Sequence, residues 1–231
     1  MNPNTSTKAW LRVALALFGV FVSMQAAWIL LAERHRLNHV RLPVDGQTAT
    51  IAFAEQDRIK QAASLAVVRG DLWAESAFTY GGQLWIDQAM ELDAGGRLNT
   101  EALKALIEAL RYSPHRGDVW LMFAALAAQY KWSGYQPSLL LKMSYYTAPN
   151  ELALFPLRLN VSLHAKGVID DAELQEMARR DISVILTRAP ALKPALVAAY
   201  RTALPQGKAV VERVISEIDP GYLGVVRAGY P

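Results

Sequence analysis

The stretch Val13–Ala32, VALALFGVFVSMQAAWILLA, is twenty consecutive residues without a charge. Lys8 and Arg12 precede it, and Glu33-Arg34-His35-Arg36 follow. A helix rises ~1.5 Å per residue, so this run is about 30 Å long, the thickness of a bilayer's hydrocarbon core. A cleaved signal peptide carries a shorter apolar core, about 7–15 residues, ending in a small-x-small site. Ala26, Ala27 and Ala32 are preceded at two places by Met24, Gln25 and Leu30, which fit that site poorly. Trp10 and Trp28 stand near the two ends, where interfacial aromatics anchor a span. A retained transmembrane helix is the expectation. It divides the chain into a cytoplasmic leader at 1–12, the span at 13–32, a linker at 33–52, a helical domain at 53–221 and a tail at 222–231.

The formal charge of +3 is unevenly spread. Residues 1–41 hold five Lys/Arg against one acid, and residues 42–231 hold nineteen against twenty. Basicity thus belongs to the flanks of the apolar run, where it suits anionic headgroups. The remaining domain has no basic excess to hold a polyanion, which argues against a nucleic-acid partner. With no cysteine in the chain, disulfides, thiolate catalysis and cysteine-zinc sites are excluded. Positive charge alone does not orient the helix, since Lys8 and Arg12 face Arg34, Arg36 and Arg41 across it. A short leader before a long domain has the form of an uncleaved signal-anchor. It implies a single-pass protein of a bacterial inner membrane with its main domain in the periplasm.

Residues 36–52 carry Pro43 and Gly46 and read as a linker, and VDGQTATIAF is the one strand-like stretch. From Phe53 the chain is rich in Ala, Leu and Gln/Glu, and the expected class is all-α. In Thr100–Tyr112, Leu103, Leu106, Ile107 and Leu110 recur at helical spacing, and Ser113-Pro114 is a stop. Asp118–Tyr130 is apolar nearly all round, as in a helix wedged between several neighbours. Further helices are expected over Tyr135–Tyr146, Asn150–His164, Asp171–Thr187, Ala191–Thr202 and Gln206–Ile218.

Arg69-Gly70-Asp71-Leu72-Trp73 returns 47 residues later as Arg116-Gly117-Asp118-Val119-Trp120, and Trp85 and Trp132 follow at matched distances. A period in this range signals stacked helical units. The expected role of the motif is capping: Arg at the negative end of one helix, Gly in a left-handed turn, Asp on the free N–H groups of the next. An adhesive role for Arg-Gly-Asp is disfavoured by that need.

These features resemble tetratricopeptide-like (TPR-like) repeats. Ala102, Leu106, Ala109 and Pro114 match the first helix of such a unit, and Trp120, Phe123 and Ala124 the start of the second. Pro149 closes the next unit 35 residues after Pro114. Ala127, Gln136 and Gly81-Gly82 depart from the pattern. The resemblance implies an N-terminal transmembrane helix followed by a TPR-like antiparallel helix-pair solenoid. Together with the anchor, the Ala-rich domain and the run Ser144–Glu151, the chain is also similar to membrane-anchored TPR-like proteins of bacterial envelopes, some associated with surface polysaccharide production.

No catalytic constellation stands out. His35 and His39 lie four apart, but among arginines and without an intervening carboxylate. Asp170, Asp171 and Glu173 sit where acids complement a helix dipole, and Gly81-Gly82 and Gly95-Gly96 lack phosphate-loop spacing. His115 falls in a turn and His164 at a helix end. Tyr130, Trp132, Tyr135, Tyr145 and Tyr146 crowd one hairpin, where they either line a partner groove or fill space between helices. They are the candidate partner-binding residues; no catalytic, cofactor or metal residue is expected. The resulting expectation is a non-catalytic scaffold that binds the bilayer through residues 13–32 and a protein partner through its helical domain. An accessory subunit of an integral membrane complex is the alternative, and an enzyme on a lipid-linked or polysaccharide substrate is a third reading.

Overall fold

The computed structural model describes residues 3–36, 42, 54–86 and 96–229. Among these the chain is all-helical with no strand. The helices are α1 (Pro3–His35), α2 (Gln56–Ala66), α3 (Gly70–Ile86), α4 (Arg97–Tyr112), α5 (Gly117–Tyr130) and α6 (Pro137–Thr147). They continue with α7 (Phe155–His164), the single turn α8 (Lys166–Ile169), α9 (Ala172–Thr187), α10 (Lys193–Thr202), α11 (Pro205–Ile218) and α12 (Leu223–Ala228). The strand-like stretch, most of the expected linker, His39 and Gly95 lie outside the described residues.

Among single described helices, α1 is the one long and apolar enough to cross a membrane. Its large side chains from Trp10 to Leu31 are exposed, as expected of a helix whose solvent is lipid. The helix runs on through Glu33–His35, where the linker was expected to begin.

Antiparallel packing joins α3 with α4 and α5 with α6, and α3 also lies against α5. This pairing is one helix out of phase with the α4–α5 unit that the tetratricopeptide resemblance implies. The shift has a physical source in the repeated motif. Gly70 and Gly117 each open a helix, and neither has a positive φ. Instead each sits where a side chain would collide. A Cβ on Gly117 would meet the Ala148 Cβ at 2.5 Å, and one on Gly70 would meet the Ser113 Cβ at 2.8 Å. Both contacts bring a helix N-terminus onto the C-terminal end of its hairpin partner, where the dipoles attract. Gly207 repeats the device in α11, where a Cβ would meet the Leu163 carbonyl oxygen at the end of α7 at 2.7 Å.

Of the flanking residues, Asp118 meets the capping expectation, its Oδ1 accepting from the free Val119 N–H at 2.9 Å, and the arginines depart from it. Arg116 is the N-cap residue of the helix that follows, with no side-chain capping bond, and its guanidinium clamps the Asp118 carboxylate two residues on. Arg69 and Asp71 repeat the clamp, with Nη2 and Oδ2 2.6 Å apart. The Trp120 indole N–H donates to the Pro114 carbonyl at 2.8 Å and that of Trp73 to the Val67 carbonyl at 2.9 Å, closing each loop over six residues. The 47-residue repeat is therefore geometric as well as lexical. The second tryptophans diverge: Trp85 lies in α3, whereas Trp132 follows the end of α5 at a left-handed Lys131.

In α4 the stripe facing the core is Leu98, Ala102, Ala105, Leu106, Ala109 and Leu110, rotated toward the alanines from the leucine face expected. Small side chains let α3 approach closely, which leaves Ile107 exposed. Around α5, from Val119 to Ala127, a first hydrophobic core gathers α3, α4 and α6. A second core is built from Phe155, Leu159, Ile182, Ile185, Leu196, Val211 and Ile215 on α7 and α9–α11. Within the expected tail at 222–231, the described residues 223–228 form a helix. Beyond a 3-10 turn at Pro220–Tyr222, α12 buries Val226 completely in that second core.

Gly117→Ala should lower the unfolding free energy by about 1–3 kcal/mol through overpacking, because the atom it meets is a Cβ that cannot rotate away. Gly167→Ala, with nothing within 4 Å, should be close to neutral. Urea unfolding of both variants in detergent, followed by circular dichroism, checks the contrast.

Candidate partner-binding surface and buried polar seam

The five aromatic residues singled out in the sequence do not converge. Tyr130, Trp132 and Tyr135 gather around the buried Phe123 at the α5–α6 turn, with Phe123–Tyr135 ring centroids 4.8 Å apart and Phe123–Trp132 5.8 Å. Two of the polar ends are engaged: the Tyr130 hydroxyl donates to the Leu84 carbonyl at 3.0 Å and the Trp132 indole to Asn99 Oδ1 at 2.7 Å. The trio closes the end of the first core. Tyr145 and Tyr146, adjacent in α6, project about 100° apart around the helix, the first buried and the second 56 % exposed.

Tyr146 belongs to a surface stripe. Leu139, Met143 and Tyr146 recur at helical spacing on the outer side of α6, and Leu152 continues beyond it, all exposed. The opposite side of the same helix buries Leu140, Leu141, Ser144 and Tyr145. Both sides of α6 are apolar, so periodicity alone could not say which would remain uncovered. A charge rim borders the stripe: Lys142 Nζ lies 2.8 Å from both Asp171 and Glu173, and the Tyr146 hydroxyl donates to Glu173 at 2.5 Å. Asp171 also caps α9, its Oδ1 accepting from the Glu173 and Leu174 amides at 3.0 and 3.2 Å. The hydrogen bond and charge of Lys142 hold the Asp171 and Glu173 carboxyls below their usual range.

Sequence reasoning missed a buried seam between α6, α7 and α9. Arg158 is fully buried. Its Nη2 donates to the Ser144 carbonyl at 2.6 Å and the Ala148 carbonyl at 2.8 Å, so the cation caps the negative end of α6. Its guanidinium carbon stands 4.4 Å from the Tyr145 ring centroid. Asp181 and Ser162 are buried nearby. Arg158 Nη1, the Tyr145 hydroxyl, Ser162 Oγ and Asp181 Oδ2 have no hydrogen-bond partner among the described residues. Burial raises the Asp181 carboxyl from 3.8 to about 7, against the opposing pull of the Arg158 cation. Lone charges at Arg158 and Asp181 within otherwise apolar helical stripes were the available signal.

The seam is enclosed, and it presents no nucleophile or open base to a substrate. Among the described residues no group of His, Asp and Glu could hold a metal ion. His115 is exposed, and His164 lies at the end of α7 with Nδ1 2.7 Å from the Asn160 carbonyl. Compared with known proteins, the chain matches no family model, no curated protein sequence and no solved structure.

The raised Asp181 carboxyl has a definite consequence for stability. Between its ordinary 3.8 and about 7, the folded chain holds a proton that the unfolded chain has released. This contribution is fully present below the lower value and is lost as pH rises to the upper one. Across that window it should amount to a few kcal/mol, on the order of 1.4 kcal/mol per unit. Asp181→Asn should remove this falling component. Urea midpoints at stepped pH from 4 to 8, wild type minus variant, read it directly.

Proposed function

We propose that this chain is a non-catalytic, membrane-anchored adaptor in which α1 spans a bilayer and a TPR-like stack of helical hairpins presents a surface to a protein partner. The observation that carries the reading is the exposure of α1. Leu15, Leu17, Phe18, Val20 and Phe21 are each more than half exposed, and a lipid solvent suits a helix this apolar and this long. The stacked hairpins and the uncovered stripe Leu139–Met143–Tyr146 support the adaptor half of the proposal.

In this reading the protein sits in a bacterial inner membrane with its domain in the periplasm, and supports synthesis or export of envelope polysaccharide. The short leader and the resemblance described above support that placement. An accessory subunit of an integral membrane complex is the second reading. Gly19, Ser23, Ala26 and Ala27 favour it, because they offer a small-residue face on which another helix could pack.

The cysteine-free chain makes sidedness simple to test. A cysteine placed at exposed Ile107 should react with a membrane-impermeant maleimide in cells whose outer membrane is permeabilised. Labelling only after lysis of the inner membrane would overturn the periplasmic placement. For the surface, a photo-crosslinker at Leu139 or Tyr146 should yield one discrete protein adduct in native membranes. A Met143→Lys change in the same stripe should abolish that adduct while leaving the helical content and urea midpoint within about 0.5 kcal/mol of wild type.

A further inference from the structure

We propose that the α2–α3 corner, Ala66-Val67-Val68, enters the interfacial layer of the bilayer that α1 crosses, so that the protein grips lipid at a second point. The inference rests on the reading of α1 as a span. It starts from the way α2 returns along α1.

Ala32 of α1 is fully buried against Ala62, Ala63 and Ala66 of α2 and Leu72 of α3. Four residues back along α1, the Trp28 indole N–H donates to the Leu65 carbonyl at 2.5 Å. The end of α2 therefore lies beside a tryptophan that is still inside the uncharged run. On the other side of the corner, Arg69 Nη1 meets Glu33 Oε2 at 2.6 Å. Trp28 and Glu33 are five residues apart, about 7.5 Å along the axis of α1. Val67 and Val68 are thus held between the interfacial indole and the first charge after the apolar run of α1.

At that level the two valines are uncovered. Val68 is 68 % exposed, comparable with Leu30 at 69 % on α1 itself. The backbone gives no reason to place valine here. Val67 has φ 42° and ψ −62°, with the Val68 amide donating to the Ala66 carbonyl at 2.5 Å, the strained γ-turn that glycine would adopt freely. A β-branched pair at the tip of such a turn is costly in water, whereas insertion into the acyl boundary removes both side chains from it.

The water side of the corner is marked by charge. Arg36 donates from Nε to Glu75 Oε1 at 3.0 Å and from Nη1 to Glu33 at 3.1 Å, while Arg69 joins Glu33 to Asp71. These five charges form one belt around the exit of α1, with the apolar corner on its membrane side. Continuity with the lipid-facing surface of α1 identifies the occupant as lipid, since an unrelated protein would have to displace the bilayer edge to reach Val68.

The test uses the full chain in phosphatidylcholine–phosphatidylglycerol vesicles, with single probes at Leu17→Cys, Val68→Cys and Arg97→Cys carrying an environment-sensitive fluorophore. Arg97 is exposed at the end of the α3–α4 hairpin remote from Gly70. Nitroxides sit either shallow or deep on the lipid chains, and iodide serves as the aqueous quencher. The expected result is loss of emission at 17 with deep nitroxide, at 68 with shallow nitroxide, and at 97 with iodide alone. A probe at 68 that behaves like the one at 97 while 17 is quenched by lipid overturns the corner and leaves the span standing. Protection at 68 from both lipid nitroxide and iodide identifies a protein occupant and overturns it equally. Absence of lipid quenching at 17 overturns the span, and the corner with it.

Discussion

The close seating of helix N-termini on helix C-termini at Gly70, Gly117 and Gly207 is the contact on which this architecture depends. Each seat brings a positive dipole end onto a negative one, and the absence of a side chain is what permits the distance. Where the seat falls decides which helices pair. At Gly70 it joins α3 to α4, at Gly117 it joins α5 to α6, and at Gly207 it ties α11 to α7. The arginine–aspartate clamps and indole-to-carbonyl bonds then hold the loops entering α3 and α5 in one shape.

With the pairs set, the two hydrophobic cores follow, and the join between them is polar. Arg158 completes the carbonyl end of α6 from α7, and Asp181 faces the same space from α9. A buried cation held by helix carbonyls fixes the relative register of the two halves more sharply than apolar packing does, because a shifted helix would strand the charge. At the other end of the molecule, Arg36 and Arg69 bind α1 to α3 through Glu33, Asp71 and Glu75. The domain is thus docked on the exit of the apolar helix, with α2 laid along it, and does not hang from its end.

The sequence was informative where local chemistry and function coincide. Helix stops at Ser113-Pro114 and Ala148-Pro149, the acids at the start of α9 and the wedged character of α5 follow from residues close in the chain. Elsewhere local rules pointed to an adjacent but different answer. In the Arg-Gly-Asp motif, glycine is a usual C-terminal turn residue, yet the seat requires it for the space it leaves. In α4 the expected face was Leu103, Leu106, Ile107 and Leu110, yet the buried stripe keeps only Leu106 and Leu110 of these and turns toward Ala102, Ala105 and Ala109, where α3 comes near. The aromatic set shared a stretch of chain, but a turn at Lys131 and Gly134 and the different sides of α6 sent Tyr145 and Tyr146 apart.

An uncharged twenty-residue run, a helical period and a 47-residue repeat are properties of the chain order itself. They were sufficient for an all-helical protein with one bilayer-length segment, since hydrophobic length and helical periodicity act over neighbouring residues. Helix pairing, the exposed side of α6, the Arg158–Asp181 seam and the return of α2 beside Trp28 were decided in three dimensions. Each depends on which distant backbones can approach closely, and that distance is set by the small side chains of several helices acting together.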